Sequence, residues 1–112
     1  MRKLVISEEC IQFIEKGDER LEKRFNYLVQ IIIEQKIIHE NFVKKLVGTE
    51  FYELRIKVQN EVSIMIFSID HSNFNESNKV ILLNGFVKKS KKDYIKAIKI
   101  ASNLLEKYKV EL

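Results

Sequence analysis

The stretch "FYELRIKVQNEVSIMIFSID", residues 51–70, decides the fold, because the hydrophobic period there changes from helical to two-residue. Its first half alternates. Tyr52, Leu54, Ile56 and Val58 fall on one side, and Phe51, Glu53, Arg55 and Lys57 on the other. That is a strand with one core face and one polar face. Gln59-Asn60 is placed for a tight turn. Residues 62–70, "VSIMIFSID", are apolar at nearly every position, as expected of a central strand covered on both sides. After the polar segment "HSNFNESN" (71–78), "KVILLNGF" (79–86) is a third strand of the same kind. The short connections make an antiparallel meander the economical topology.

Upstream, "KLVIS" (3–7) is a short β-branched strand. Ser7 is placed to cap a helix over 8–16, with Glu8 and Glu9 in its first turn. Gly17 is placed to end that helix in a left-handed conformation, and Asp18 to cap the next. From Glu19 to about Lys36, Leu21, Phe25, Leu28 and Ile32 recur at spacings of four, three and four, and Val29 and Ile33 widen the stripe. This is an amphipathic helix. Over 37–50, Ile38, Phe42 and Leu46 suggest a further short helical turn that Gly48 breaks. Downstream, Ser90-x-x-Asp93 matches a capping box with Asp in place of Glu or Gln. Tyr94, Ile98, Ala101, Leu105 and Tyr108 then form one helical stripe. The expected fold is α+β: an N-terminal strand and two helices packed on a small antiparallel sheet, with a C-terminal helix.

A chain of 112 residues is expected to form a single domain over 1–112. No apolar run approaches the ~20 residues that span a bilayer, and "MRKLVISEE" lacks the pattern of a signal peptide. The one cysteine, Cys10, permits no internal disulfide, so a reducing cytoplasm is the natural compartment. The net charge of +4 is unevenly spread. Residues 79–112 carry a balance of +6 and the rest of the chain −2. Lys88, Lys89, Lys91 and Lys92 crowd a strand end and a helix start. Cations at a helix N-terminus are unfavourable by roughly a few tenths of a kcal/mol each. Such a cluster is either a solvated helix face or a polyanion site.

Two segments together resemble a known family. "KKLVGTEFYELRI" (44–56), and "VILLNGFVKKSKK" (80–92) leading into the last helix, are similar to the RelE/HigB-like toxins of bacterial type II toxin–antitoxin pairs, closest to their phage-derived HigB-like branch. The resemblance implies a RelE-like fold and an endoribonuclease that cleaves mRNA, in many members only on the ribosome. No cofactor and no membrane are expected. The resemblance also implies a cognate antitoxin partner, often a helix-turn-helix protein. The chain departs from the family where many members place a strand arginine, here Ile64. It departs again where a Thr-Pro is common, here Asp93-Tyr94.

Cleavage by a 2′-hydroxyl needs that hydroxyl deprotonated, the leaving 5′-oxygen protonated and the phosphate charge stabilised. No paired histidines and no carboxylates at metal-ligand spacing are visible. His39 and His71 are isolated and read as solvated or structural residues, and Cys10 as a small buried filler. Crowded lysines and an arginine can serve instead, because like charges lower a lysine pKa and arginine clamps phosphate bidentately. Arg55, Lys88, Lys89 and Glu53 are therefore the catalytic candidates, with no metal. Arg55 would clamp phosphate, Lys88 and Lys89 would stabilise charge or donate protons, and Glu53 would be either a base or an ion-pair partner of Arg55 or a lysine. Lys57, Lys91 and Lys92 would guide RNA. Tyr94 reads as a core anchor on its apolar stripe, and Ser90 as a cap. The competing function is a binding module on the same fold without RNase activity, poisoning gyrase or acting as a degenerate or regulatory nucleic-acid binder.

Overall fold

Alternation along β3 (Phe51–Lys57) sends Leu54 and Ile56 to one face of a sheet and Phe51 and Glu53 to the other. The computed structural model describes all residues, 1–112. The remaining strands are β1 (Lys3–Ile6), β2 (Val43–Lys45), β4 (Glu61–Ser68) and β5 (Lys79–Val87), and the helices are α1 (Glu8–Glu15), α2 (Glu19–Glu34) and α3 (Lys91–Tyr108). The strands form one sheet in the order β1-β5-β4-β3-β2. All pairs are antiparallel except β1 with β5, which is parallel. The expected meander β3-β4-β5 is present.

Both faces of the sheet are covered. On one, Ile14 of α1 and Phe25, Leu28 and Ile32 of α2 pack against Leu54, Ile56, Ile64, Ile66 and Leu82. On the other, Ala97, Ala101 and Leu105 of α3 pack against Phe51, Met65, Ile81 and Leu83. Double coverage is why β4 and β5 read as continuous apolar runs. Small residues on α3 bring its axis close to the sheet.

The caps follow the sequence. Ser7 accepts from the Cys10 N–H at 3.0 Å, and Asp18 from the Leu21 N–H at 2.9 Å. The Asp93 carboxylate accepts from the N–H groups of Lys89 and Ser90, both at 2.8 Å. Those bonds hold Asp93 below the usual carboxylate pKa. Arg2, buried at the far end of α2, donates to the carbonyls of Ile32, Gln35, Lys36 and Ser77. It closes the C-terminus of that helix, where carbonyls lack helical partners.

Two local expectations are corrected. Gly17 is not left-handed; Gly48, with φ of 79°, is the one residue that is. Gly17 serves close packing instead, since a Cβ there would lie 2.5 Å from Cδ2 of Leu21. The segment 37–50 does not form a helical turn across Phe42 and Leu46. Residues 43–45 are the edge strand β2, pairing Val43 with Leu54 and Lys45 with Tyr52. The open backbone edge of β3 offers ladder hydrogen bonds that three widely spaced apolar residues cannot match locally. Gly48 supplies the positive φ that turns the chain back into β3.

One irregularity aims the candidate residues. Opposite β4, the register of β5 moves from Leu82↔Ile66 to Gly85↔Ile64, so Leu83 and Asn84 both face Met65. The extra residue is a β-bulge. It exchanges the two faces for the remainder of β5. Phe86 therefore lies on the α3 side with Ile81 and Leu83, whereas Gly85 lies against Phe13 of α1. Without the bulge, Lys88 would follow the opposite face.

Candidate functional site

α3 covers the α3-side face of β3 only as far as Glu53. Beyond it, Arg55 and Lys57 face a small cleft together with Ser63 and Glu61 of β4, Lys88 just past β5, and Tyr94 in the first turns of α3. The cross-strand register builds this row: Arg55 is opposite Ser63, which is opposite Phe86, and Lys57 is opposite Glu61. Lys88 is tied to the row by its N–H, which donates to the Glu61 carbonyl at 2.8 Å. Its ammonium lies 4.0 Å from the Glu61 carboxylate and 5.2 Å from the centre of the Tyr94 ring.

Glu53 lies behind the cleft lining, bonded to its Ser63 and Tyr94. It is 4% exposed. Its Oε2 accepts from the Ser63 hydroxyl at 2.9 Å and from the Tyr94 hydroxyl at 2.8 Å. Its Oε1 lies 3.8 Å from Nε of Arg55. A buried carboxylate is stable only with such partners. Tyr94 stands over it, its ring edge-on to Phe86 with centroids 5.2 Å apart. Burial first, and then the hydrogen bond to Glu53, push the Tyr94 phenol above its ordinary pKa of 10.0. Tyr94 is thus a neutral donor at neutral pH.

The cleft brings together Arg55, Lys57, Lys88 and, beneath them, Glu53. It does not include Lys89, Lys91 or Lys92, whose side chains are exposed around the start of α3. Glu53 makes the ion pair with Arg55 and is shielded by Tyr94, so direct contact with a substrate hydroxyl is closed to it. Tyr94 is both packed and polar. Its ring anchors on Phe86 as the apolar stripe suggested, while its hydroxyl reaches the one buried carboxylate of the chain. Glu61, Tyr94 and Ser63 are the cleft residues that sequence reasoning missed, and the last two carried a signal. Their signals were a phenol heading an otherwise apolar stripe, and a lone polar residue inside the apolar run of β4 opposite Arg55.

His39 and His71 lie outside the cleft. Each is exposed, and its Nδ1 accepts a backbone N–H within its own loop. Cys10 is fully buried, and burial pushes its thiol up to about 12. No three His, Cys, Asp or Glu side chains converge in a metal-holding group. No helix is long and apolar enough to cross a membrane.

The model of a family described as phage-derived protein Gp49-like matches residues 12–106. No curated protein matches the chain in sequence. Among the solved structures that share the fold are three of E. coli proteins. The E. coli RelBE toxin–antitoxin complex contains a chain 18% identical, with a TM-score of 0.55, covering 80% of this chain and 100% of that one. The isolated E. coli RelE toxin is 20% identical, with a TM-score of 0.53, covering 88% and 97%. A double arginine-to-alanine mutant of E. coli RelE in the free state is 19% identical, with a TM-score of 0.54, covering 95% and 96%. The RelE-like α+β fold expected from the two sequence segments is the fold observed.

Proposed function

We propose that this chain, which belongs to the phage-derived Gp49-like family, is the toxin of a type II toxin–antitoxin pair and cleaves mRNA by acid–base catalysis with its own side chains. Supporting the reading is one observation: three cations, Arg55, Lys57 and Lys88, share one small cleft with a phenol that is hydrogen-bonded to a buried carboxylate. Likeness in fold to E. coli RelE agrees with it. By analogy with the RelBE complex, the partner is a cognate antitoxin, read here as a helix-turn-helix protein. The substrate is mRNA on the ribosome, in the cytoplasm.

In this reading Arg55 holds the scissile phosphate through its guanidinium, oriented by Glu53. As the 2′-oxygen bonds to phosphorus, its proton passes to the Tyr94 oxygen. The phenol proton moves along the existing hydrogen bond to Oε2 of Glu53. The bond from phosphorus to the 5′-oxygen breaks, and Lys88 gives that oxygen a proton. Glu53 acts as base through Tyr94 and positions Arg55. Lys57 neutralises charge at the cleft edge, and Lys89, Lys91 and Lys92 attract the RNA backbone electrostatically.

The test is induction of the chain alone. Growth should arrest, and Arg55→Ala with Lys88→Ala should relieve the arrest while the double variant accumulates to the same level. Undiminished arrest by the double variant overturns the reading. A second reading, a gyrase-poisoning or regulatory binding module, draws support from β4, which presents Ser63 and no basic residue to the cleft. It predicts gyrase-dependent DNA breaks on induction.

A further inference from the structure

Arg55 and Lys57 line two clefts. Besides the one described, they border a groove on the helical side whose other walls are Arg24 of α2 and Asn41 and Phe42 of the segment before β2. No carboxylate lines this groove. Arg24 and Lys57 have no ion-pair partner, in contrast to Arg55 with Glu53 and Arg20 with Asp18. The Arg24 guanidinium sits 5.9 Å from the centre of the Phe42 ring and 5.1 Å from that of Tyr27. Phe42 is half-buried, so its ring is anchored but partly open. Its carbonyl accepts from the Arg55 N–H at 2.8 Å, which ties the groove wall to the phosphate-holding strand. The short edge strand β2 is what leaves this site open, since it pairs only with residues 52–54 of β3.

An unpaired guanidinium beside an aromatic face, next to a further arginine and a lysine, is the arrangement that holds a base and its phosphate together. We propose that the Arg24–Asn41–Phe42 groove is a nucleotide subsite for single-stranded RNA. It takes the base next to the scissile phosphate, stacks it on the open part of the Phe42 ring beside the Arg24 guanidinium, and offers the Asn41 amide to its edge. Arg55 and Lys57 hold the phosphate that joins this nucleotide to the one in the cleft. The subsite deepens the RNA-cleaving reading and rests on it.

The test is a coupling measurement on the full chain. A fluorescent single-stranded RNA hexamer is titrated at low salt, intact and with one abasic nucleotide at each position in turn, against wild type, Phe42→Leu and Arg24→Gln. Phe42→Leu keeps an apolar side chain against the core, and thermal melting checks that each variant is folded. One abasic position should weaken wild-type binding roughly tenfold. Phe42→Leu should weaken binding of the intact RNA by a similar factor and lose little more at that abasic position. Additive losses, or intact binding unchanged in Phe42→Leu, overturn the subsite while leaving RNA cleavage standing. No RNA binding by wild type overturns the subsite, whereas the cleavage reading, whose substrate is mRNA on the ribosome, falls only if RNA ends are unchanged on induction. Loss of antitoxin binding in the same variants with RNA affinity unchanged assigns the groove to a protein partner and overturns the subsite.

Discussion

Replacing Tyr94 by Phe removes one oxygen and keeps the ring. The edge contact with Phe86 and the Lys88 ammonium over the ring face both survive. What is lost is one of two hydrogen bonds to Oε2 of Glu53, leaving Ser63 at 2.9 Å and Arg55 at 3.8 Å to satisfy a buried carboxylate. A hydrogen bond to a charged group contributes about 1.5–3 kcal/mol. Tyr94 is half-buried and water can reach the vacated position, so about 1.5 kcal/mol is expected. For a domain of this size that is a fall in Tm of about 6 °C. The proposed proton relay adds a second effect. Removing the group that takes the 2′-hydroxyl proton should slow cleavage by about 10²–10⁴-fold. Because the folded-state pKa of Tyr94 is raised, the unfolded chain loses this proton first as pH climbs. Its stabilising contribution is full below the ordinary value of 10.0 and is lost as pH rises through the folded value. Tyr94→Phe should lack that alkaline loss. Thermal melts from pH 7 to 11, paired with cleavage of a translated mRNA in a reconstituted translation mix, read both effects. Wild-type cleavage rate together with a lowered Tm would refute the relay. An unchanged Tm would refute the claim that the bond supports the buried charge.

Three further outcomes follow from the packing. Gly85→Ala should lower stability by about 1–3 kcal/mol, because its Cβ would lie 2.3 Å from Cδ2 of Phe13 and 2.8 Å from Cδ1 of Ile64; the urea midpoint reads it. Arg2→Met should cost about 3 kcal/mol or more, by stranding the carbonyls of Ile32, Gln35, Lys36 and Ser77; equilibrium urea unfolding with an unchanged m-value tests this. Glu9 is held below its ordinary pKa of 4.5 by hydrogen bonds from Lys107 and Tyr108. Its contribution is present above 4.5 and lost as pH falls through the depressed value, so Glu9→Gln should flatten the acid limb of the stability profile.

Much of the fold was legible because its signals are local. The alternation in 51–57, the apolar runs of β4 and β5, the caps at Ser7 and Asp18 and the Asp93 box each carry their own physics in a few residues. β2 was not legible. Three residues cannot show a period, and Val43-Lys44-Lys45 becomes a strand only because β3 has an open edge there. The burial of Phe51 and Glu53 on the supposed polar face depends on where α3 crosses the sheet, which no window of sequence encodes. Arg55, Lys57 and Lys88 were identified as site candidates, and the structure places them around one cleft. Lys88 reaches it through a bulge that is invisible in the run "LLNGFV". Tyr94 was assigned to the core because its position on the helix stripe says where the ring goes and nothing about where the hydroxyl ends.

The central claim, cleavage of translated mRNA by this cleft, is tested most directly by sequencing RNA 5′ ends after brief induction. Wild type should produce new ends inside translated codons, and a transcript whose start codon is removed should be spared. Arg55→Ala with Lys88→Ala should produce none. Growth arrest by wild type with RNA ends unchanged from the uninduced cells would contradict the account.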